Sequence, residues 1–242
     1  MFALSASHIA ASAAHPAREQ RPVTGGAPAG DFSMYTGIVQ AVRPLADVTA
    51  YAGGKTFTVR FTDEQLEGLK LGASVNIEGV CLSVTGISGN NVTFDAMNAT
   101  LERTNLGALE AGNDVNVERS AKMTDENGGH VIAGHIATTA ALEEIRIADD
   151  GALIRFRVPE EWAKYIFPRG FLAVNGCSLT VAEVDDNLFT INLIPETLRQ
   201  TTFCRYTAGD RLNIEVDHQT MVLVDVIERT VTRVLPGLVA KG

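Results

Sequence analysis

The chain has 242 residues, 45% of them hydrophobic and 20% charged, with a net charge of −9. That composition suits one large globular domain or two of about 100 residues. The acidic balance argues against nucleic-acid binding, which relies on basic surface to displace counterions. No apolar run approaches the roughly 18 residues of a membrane span; the best, Met221 to Ile227, is short and holds Asp225. The three cysteines, Cys81, Cys177 and Cys204, form no CxxC pair, which suits a reducing compartment and offers no metal or disulfide framework.

Residues 1–33 hold nine alanines with several Ser, Gly and Pro and almost no periodic apolar pattern. They read as a disordered extension, and His8 and the serines interrupt what a signal peptide would need. A transit peptide would be Ser-rich and acid-poor, as the tail partly is, but with only Arg18 and Arg21 an upstream start codon or an expression remnant explains it better. Met34 opens the ordered-looking sequence.

From there the chain repeats itself at an offset of 97 residues. Gly37 falls on Gly134, Gly79-Val80-Cys81-Leu82-Ser83-Val84 on Gly176-Cys177-Ser178-Leu179-Thr180-Val181, and Asn116-Val117-Glu118 on Asn213-Ile214-Glu215. Residues 74–119 and 171–216 share twelve identities in forty-six without a gap, a tandem duplication. Each copy reads as all-β. Thr56 to Phe61 and Ile154 to Val158 alternate as strands do. A short helix follows in each, opening at Thr62 with Gln65 in capping-box position and at Pro159 as first helical residue. Gly89-Asn90 and Asp186-Asn187 are hairpin turns. The expectation is two six-stranded antiparallel Greek-key barrels in tandem, over residues 34–130 and 131–217. A C-terminal amphipathic helix over 218–236, of about four turns, carries Leu223, Ile227, Val231 and Val234 on one face. It is modest in propensity and needs a packing partner, either its own barrels or copies of itself.

Alternation along 79–84 puts Val80, Leu82 and Val84 on one face and Cys81 and Ser83 on the other. In the second copy Ser178 and Thr180 take the polar face. A lone cysteine is ordinarily a buried space-filler, but its match to Ser178 indicates a position that prefers a small polar atom. His135 stands where the first copy has Ile38, so it breaks the symmetry, as either a structural or a catalytic histidine. His130 and His135 lack the helix and the neighbouring ligands of a metal site. There is no phosphate-binding glycine loop and no nucleophile elbow.

Together Met34-Tyr35-Thr36-Gly37-Ile38-Val39-Gln40, the Gly79–Val84 and Gly176–Val181 strands, Thr104-Asn105-Leu106-Gly107, Gly128-Gly129-His130 through Gly134-His135, and Ile194-Pro195-Glu196-Thr197-Leu198 resemble riboflavin synthase of the alpha-chain type. The resemblance spans about residues 34–235. It implies dismutation of two 6,7-dimethyl-8-ribityllumazine molecules, with transfer of a four-carbon unit, to riboflavin and 5-amino-6-ribitylamino-uracil. It implies no cofactor or metal, a cytoplasmic homotrimer held by C-terminal helices, and an active site between the N-terminal barrel of one subunit and the C-terminal barrel of another. Association with lumazine synthase is a further implied partnership.

By the resemblance, Ser74, Cys81, His135, Ser178, Thr180 and Asp217 occupy catalytic positions. Cys81 would hydrogen-bond or activate the nucleophile, His135 would move protons, Ser178 and Thr180 would hold the second lumazine, and Ser74 and Asp217 would support proton movement or water placement. Substrate contacts are implied at Tyr35, Gly37, Ile38, Val39, Val80, Leu82, Ser83, Asp95, Met97, Thr100, Ala133, Gly134, Arg169, Leu193, Ile194, Pro195, Glu196, Thr197 and Leu198. Tyr35 stands for a usual Phe, Ser83 for a Thr and Arg169 for a Lys. Ala99 and Ala133 replace polar residues of some relatives. The rival reading is a non-catalytic lumazine- or flavin-binding antenna protein of the same fold, which would lose the polar set kept here. A flavin reductase would need a nicotinamide domain with glycine-rich loops, which the sequence lacks.

Overall fold

The computed structural model describes residues 34–122 and 124–239; the expectation for residues 1–33 lies outside them. The first barrel comprises β1 (Ala41–Tyr51), β2 (Gly54–Arg60), β3 (Ser74–Ile77), β4 (Val80–Ser88), β5 (Asn91–Met97) and β6 (Asp114–Arg119). The second comprises β7 (Thr138–Ala148), β8 (Gly151–Arg157), β9 (Phe171–Val174), β10 (Cys177–Asp185), β11 (Leu188–Leu193) and β12 (Arg211–Val216). Both sheets close, in the orders β1-β2-β5-β4-β3-β6 and β10-β11-β8-β7-β12-β9, which is one antiparallel ring order repeated. Closure leaves no edge strand open for pairing. β-bulges recur at matched places, between Leu45 and Asp47 and between Leu142 and Glu144, and again between Val84 and Gly86 and between Val181 and Glu183. Each supplies the bend that lets a strand turn a barrel corner.

The two cores are filled by compensating exchanges. Phe57 pairs with Phe94 and Val59 with Val92 across β2 and β5. In the second barrel Ile154 pairs with Ile191 and Phe156 with Phe189 across β8 and β11. Aromatic and aliphatic layers have traded places, so each barrel keeps two phenylalanines in one cross-strand pair, and the two sets differ only by one methylene in each aliphatic residue. All eight side chains are buried.

The local signals hold. Helix α1 (Asp63–Leu66) has Thr62 and Gln65 in a reciprocal capping box. The turns at Gly89 and Asp186 have φ of 56° and 55°, a left-handed conformation that glycine and aspartate tolerate. Helices α2 (Asn98–Arg103) and α4 (Pro195–Gln200) follow β5 and β11. Helix α3 (Glu160–Ala163) begins one residue later than expected, with Pro159 as its N-cap. Helix α5 (His218–Val239) has 22 residues, about six turns rather than four. Val222, Leu223, Val226, Ile227, Val231 and Val234 are exposed on it. Its other side docks on the second barrel: Tyr165 donates its hydroxyl to Asp225 at 2.6 Å and Lys164 bonds Glu228. Among the described residues no helix is long and apolar enough to cross a membrane.

The barrels meet at their β3–β4 and β9–β10 turns. Glu78-Gly79 and Asn175-Gly176 all have positive φ, as a type I′ turn requires. The turns abut so closely that a Cβ on Gly79 would lie 2.7 Å from the Gly176 nitrogen. Around them runs a buried polar network. Glu78 accepts from the Asn116 N–H at 2.6 Å, the Thr202 hydroxyl at 3.3 Å and the Tyr206 hydroxyl at 3.0 Å. Asn213 donates to the Glu78 carbonyl and the Asn105 side chain, and Asn116 donates to the Asn175 carbonyl. All four asparagines are buried, and buried amides need such partners.

Burial pushes the Glu78 carboxyl up to about 7, against the pull of its donors. A folded-state value above the ordinary 4.5 means that its stabilising contribution is complete below about 4.5 and declines as pH rises toward about 7. Glu78→Gln should remove that decline. The variant is expected to be more stable than the parent at pH 8 by roughly 1–3 kcal/mol and equal to it near pH 4.5, as read by urea unfolding at fixed protein concentration.

Candidate active site

Two short segments precede the barrels, residues 34–40 and 131–137, and each crosses to the opposite barrel. They pair through reciprocal bonds between Tyr35 and Ile132 at 2.9 and 3.0 Å. The Gly37 carbonyl accepts the Ser178 N–H at 2.7 Å, and the Gly134 carbonyl accepts the Cys81 N–H at 3.0 Å. Both glycines have positive φ, and a Cβ would fall 2.5 Å from the Ser178 Cβ or 2.6 Å from the Cys81 Cβ. Only glycine fits. Two residues on, Val39 packs against the second barrel's core and Ile136 belongs to the first barrel's core.

Each crossing is held by a buried glutamate at the end of its own barrel's last strand. Glu118 accepts from the Thr36 N–H and hydroxyl and from the Gly37 N–H, at 2.6, 2.8 and 3.1 Å. Glu215 accepts from the Ala133 and Gly134 N–H groups at 2.7 and 3.0 Å. Burial pushes both carboxyls up to about 7, while the donors pull them back. Neither was among the expected site residues. Their signal in the sequence is the Asn-Val-Glu and Asn-Ile-Glu identity of the repeat, polar residues kept where a strand is otherwise core.

The crossing builds a pocket on the first barrel from both repeats. Val80, Cys81, Ala99, Thr100, Arg103 and Thr104 come from the first copy, and Gly134, His135 and Ile136 from the second. So Cys81, Val80, Thr100, Gly134 and His135 are brought together. Tyr35 is buried behind them and donates its hydroxyl to the Cys81 sulfur at 3.1 Å; burial, then the neighbouring Cys81, pushes that phenol above its usual range. Tyr35 thus supports the cysteine from beneath. Val80 and Leu82 are core residues whose side chains face inward, and Ser83 points outward opposite Ser74 in register. Asp95 accepts the Thr56 hydroxyl at 2.7 Å, and Met97 is exposed at the start of α2.

On the second barrel Ser178 is half-buried and Thr180 exposed, beside Gly37, Ile38 and Val39 from the first copy. Ile194, Pro195, Glu196, Thr197 and Leu198 occupy there the repeat positions of Met97 to Leu101. Ile194 is exposed, Pro195 opens α4, Leu193 is buried, and Glu196 is paired with Arg199 and Gln200. Arg169 sits in a left-handed turn and bonds through its N–H to Val181. Asp217 is the N-cap of α5, accepting from the Thr220 N–H and hydroxyl at 2.8 and 2.7 Å. Burial pushes its carboxyl up, but those donors and the His130 charge outweigh it and hold it below the usual range. His130, outside the expected set, bonds Ser178. Cys177 is core, and burial pushes its thiol up to about 12, so it is the inert cysteine.

Tandem barrels with a pocket at Cys81 and its repeat equivalent at Ser178 define a duplicated small-molecule-binding protein. The lumazine binding domain family model matches residues 36–120 and 133–217. Riboflavin synthase of Escherichia coli (strain K12) is 47% identical over 197 residues, covering 81% of this chain and 92% of the relative. That of Chlamydia pneumoniae is 36% identical over 196 residues, covering 81% and 96%. Among solved structures, LumP complexed with riboflavin superposes with a TM-score of 0.71 at 25% identity, covering 75% of this chain and 98% of that one. The chain belongs to the riboflavin synthase family of lumazine-binding tandem-repeat proteins.

Gly134→Ala should destabilise the fold by more than about 2 kcal/mol. Gly112→Ala is the control, since Gly112 shares the positive φ but has nothing within 4 Å of an added Cβ. Chemical unfolding should show the Gly134 variant clearly the weaker; equal losses would mean that the crossing at Cys81 can relax.

Proposed function

We propose that this protein is a riboflavin synthase, a transferase that converts two 6,7-dimethyl-8-ribityllumazine molecules into riboflavin and 5-amino-6-ribitylamino-uracil, without metal or organic cofactor. The observation that carries the reading is the pair of equivalent positions on two like barrels, each met by a glycine of the opposite repeat, with unequal residues at their hearts: Cys81 backed by Tyr35 in one, Ser178 backed by His130 in the other. Two like grips suit two identical substrates. Unequal polar groups let one become donor and the other acceptor of the four-carbon unit.

In this reading Cys81 holds or activates the nucleophile at the first lumazine. His135, on the rim of the same pocket, moves the proton of the acidic C7 methyl, and Ser178 and Thr180 bind the second ring. Ser74 and Asp217 assist proton movement. Fixing two reactants face to face contributes roughly 7–11 kcal/mol, and acid–base assistance roughly 10²–10⁴-fold, so positioning carries much of the rate.

Cys81 and Ser178 lie on separate barrels of one chain, so in this reading bringing two lumazines together calls for another copy. The apolar face of α5, with Leu223 61% and Ile227 52% exposed, supports a homotrimer with each active site between barrels of neighbouring protomers. The reaction is placed in the cytoplasm, and association with lumazine synthase belongs to the same reading.

Purified protein mixed with the lumazine alone should generate riboflavin absorbance; its absence under native conditions would favour a binder of the LumP kind. Cys81→Ala and His135→Ala should each slow turnover, by up to roughly 10²–10⁴-fold for the histidine, with unchanged circular dichroism. Unchanged rates in both would remove these residues from the mechanism. Leu223→Glu combined with Ile227→Glu should yield monomers in sedimentation velocity, and a persistent trimer would reject the helix as its seam.

A further inference from the structure

His130 precedes the second crossing and lies over Ser178. Its backbone N–H donates to the Ser178 Oγ at 3.2 Å, and its ring Nδ1 lies 2.6 Å from the same oxygen. Gly129 brings the loop this close; a Cβ there would fall 2.8 Å from the Ser178 Cβ. The imidazole is stacked on Phe171 with ring centres 5.3 Å apart, and its Nε2 is buried with no hydrogen-bond partner among the described residues.

These contacts decide the proton's place. A serine hydroxyl has two acceptor lone pairs and one hydrogen, and a neutral imidazole has one N–H and one bare nitrogen. If Ser178 donated to Nδ1, the ring N–H would sit on Nε2 as a buried donor without an acceptor, the rarer and costlier kind of orphan. With the N–H on Nδ1, the ring donates to Ser178 and Nε2 is a bare acceptor. Burial lowers the imidazole's proton affinity, against the pull of the Asp217 charge, so the ring is neutral near pH 7. Asp217 is the charged group facing it; its carboxylate is engaged by Thr220.

We propose that His130 is a positioning residue. Its backbone and ring N–H groups fill both lone pairs of the Ser178 oxygen, leaving that hydroxyl solely as a hydrogen-bond donor to a carbonyl or ring-nitrogen acceptor of the molecule bound in the second barrel. The ligand class rests on the lumazine reading above. The tautomer does not. His130 thereby gives the second site a fixed donor, where the first has Cys81 with Tyr35 donating to its sulfur.

The test has two parts. In ¹⁵N-labelled, ligand-free protein, long-range ¹H–¹⁵N correlation at neutral pH should show His130 as the Nδ1–H tautomer; an Nε2–H tautomer overturns the proposal, whatever the site binds. Binding is then measured with a lumazine lacking the C7 methyl group, which cannot react. Ser178→Ala and His130→Phe should each weaken one class of site about tenfold, with the double variant no weaker than either single one. His130→Asn, whose amide can donate from the place of Nδ1, should restore most of the affinity. Thermal unfolding checks that each variant is folded. Weakening by Ser178→Ala with parental affinity in His130→Phe overturns the positioning role and leaves the lumazine reading intact. Parental affinity in Ser178→Ala, with the Nδ1–H tautomer in place, overturns the lumazine reading of this barrel.

Discussion

Two glycine carbonyls organise this molecule. Gly37 receives the Ser178 N–H and Gly134 the Cys81 N–H, and neither approach leaves room for a Cβ. Because each glycine belongs to the repeat opposite the residue it touches, neither the Cys81 pocket nor the surroundings of Ser178 can form from one repeat alone. Glu118 and Glu215 hold the crossing segments by their N–H groups, and Val39 and Ile136 anchor them in the other barrel's interior. The exchange turns two small barrels, each modest in core size, into one unit whose binding surfaces are shared.

Where the copies depart from one another, they do so with chemical purpose. At the seam, Glu78 stands where the second copy has Asn175, and a carboxyl with neutral donors around it replaces an amide. At the pockets, Cys81 stands against Ser178 and Ile38 against His135. The backing residues differ too: a phenol behind the thiol and an imidazole behind the hydroxyl. The scaffold is symmetric in its strands and glycine contacts and asymmetric in the polar groups at Cys81 and Ser178.

Much of this was legible in the sequence because it is written in short-range terms. The offset of 97, the alternation of Val80, Leu82 and Val84, the Thr62–Gln65 capping box and the turns at Gly89 and Asp186 depend on neighbours a few residues apart, and all are found in the fold. The pairing of Cys81 with Ser178 as outward-facing equivalents followed from the repeat offset and strand alternation. What was not legible depends on contacts between distant segments. Nothing near Gly37 announces Ser178, so the crossing was invisible, and with it the roles of Glu118 and Glu215. Tyr35 could be placed at the site but not beneath it, because burial is decided by what packs on top. Helix α5 continues past its expected end at residue 236 to Val239, although Val and Thr are modest helix formers and Pro236 ordinarily breaks helices. His130 escaped the expected set because its meaning lies in one oxygen 48 residues away.

The central claim is that one chain carries two lumazine grips of unequal character. It is tested most directly by counting ligands. Isothermal titration of the intact protein with a lumazine lacking the C7 methyl group should give two bound molecules per chain in two classes of distinct affinity. One molecule per chain, or two sites with the same affinity and the same response to Cys81→Ala and Ser178→Ala, would contradict it.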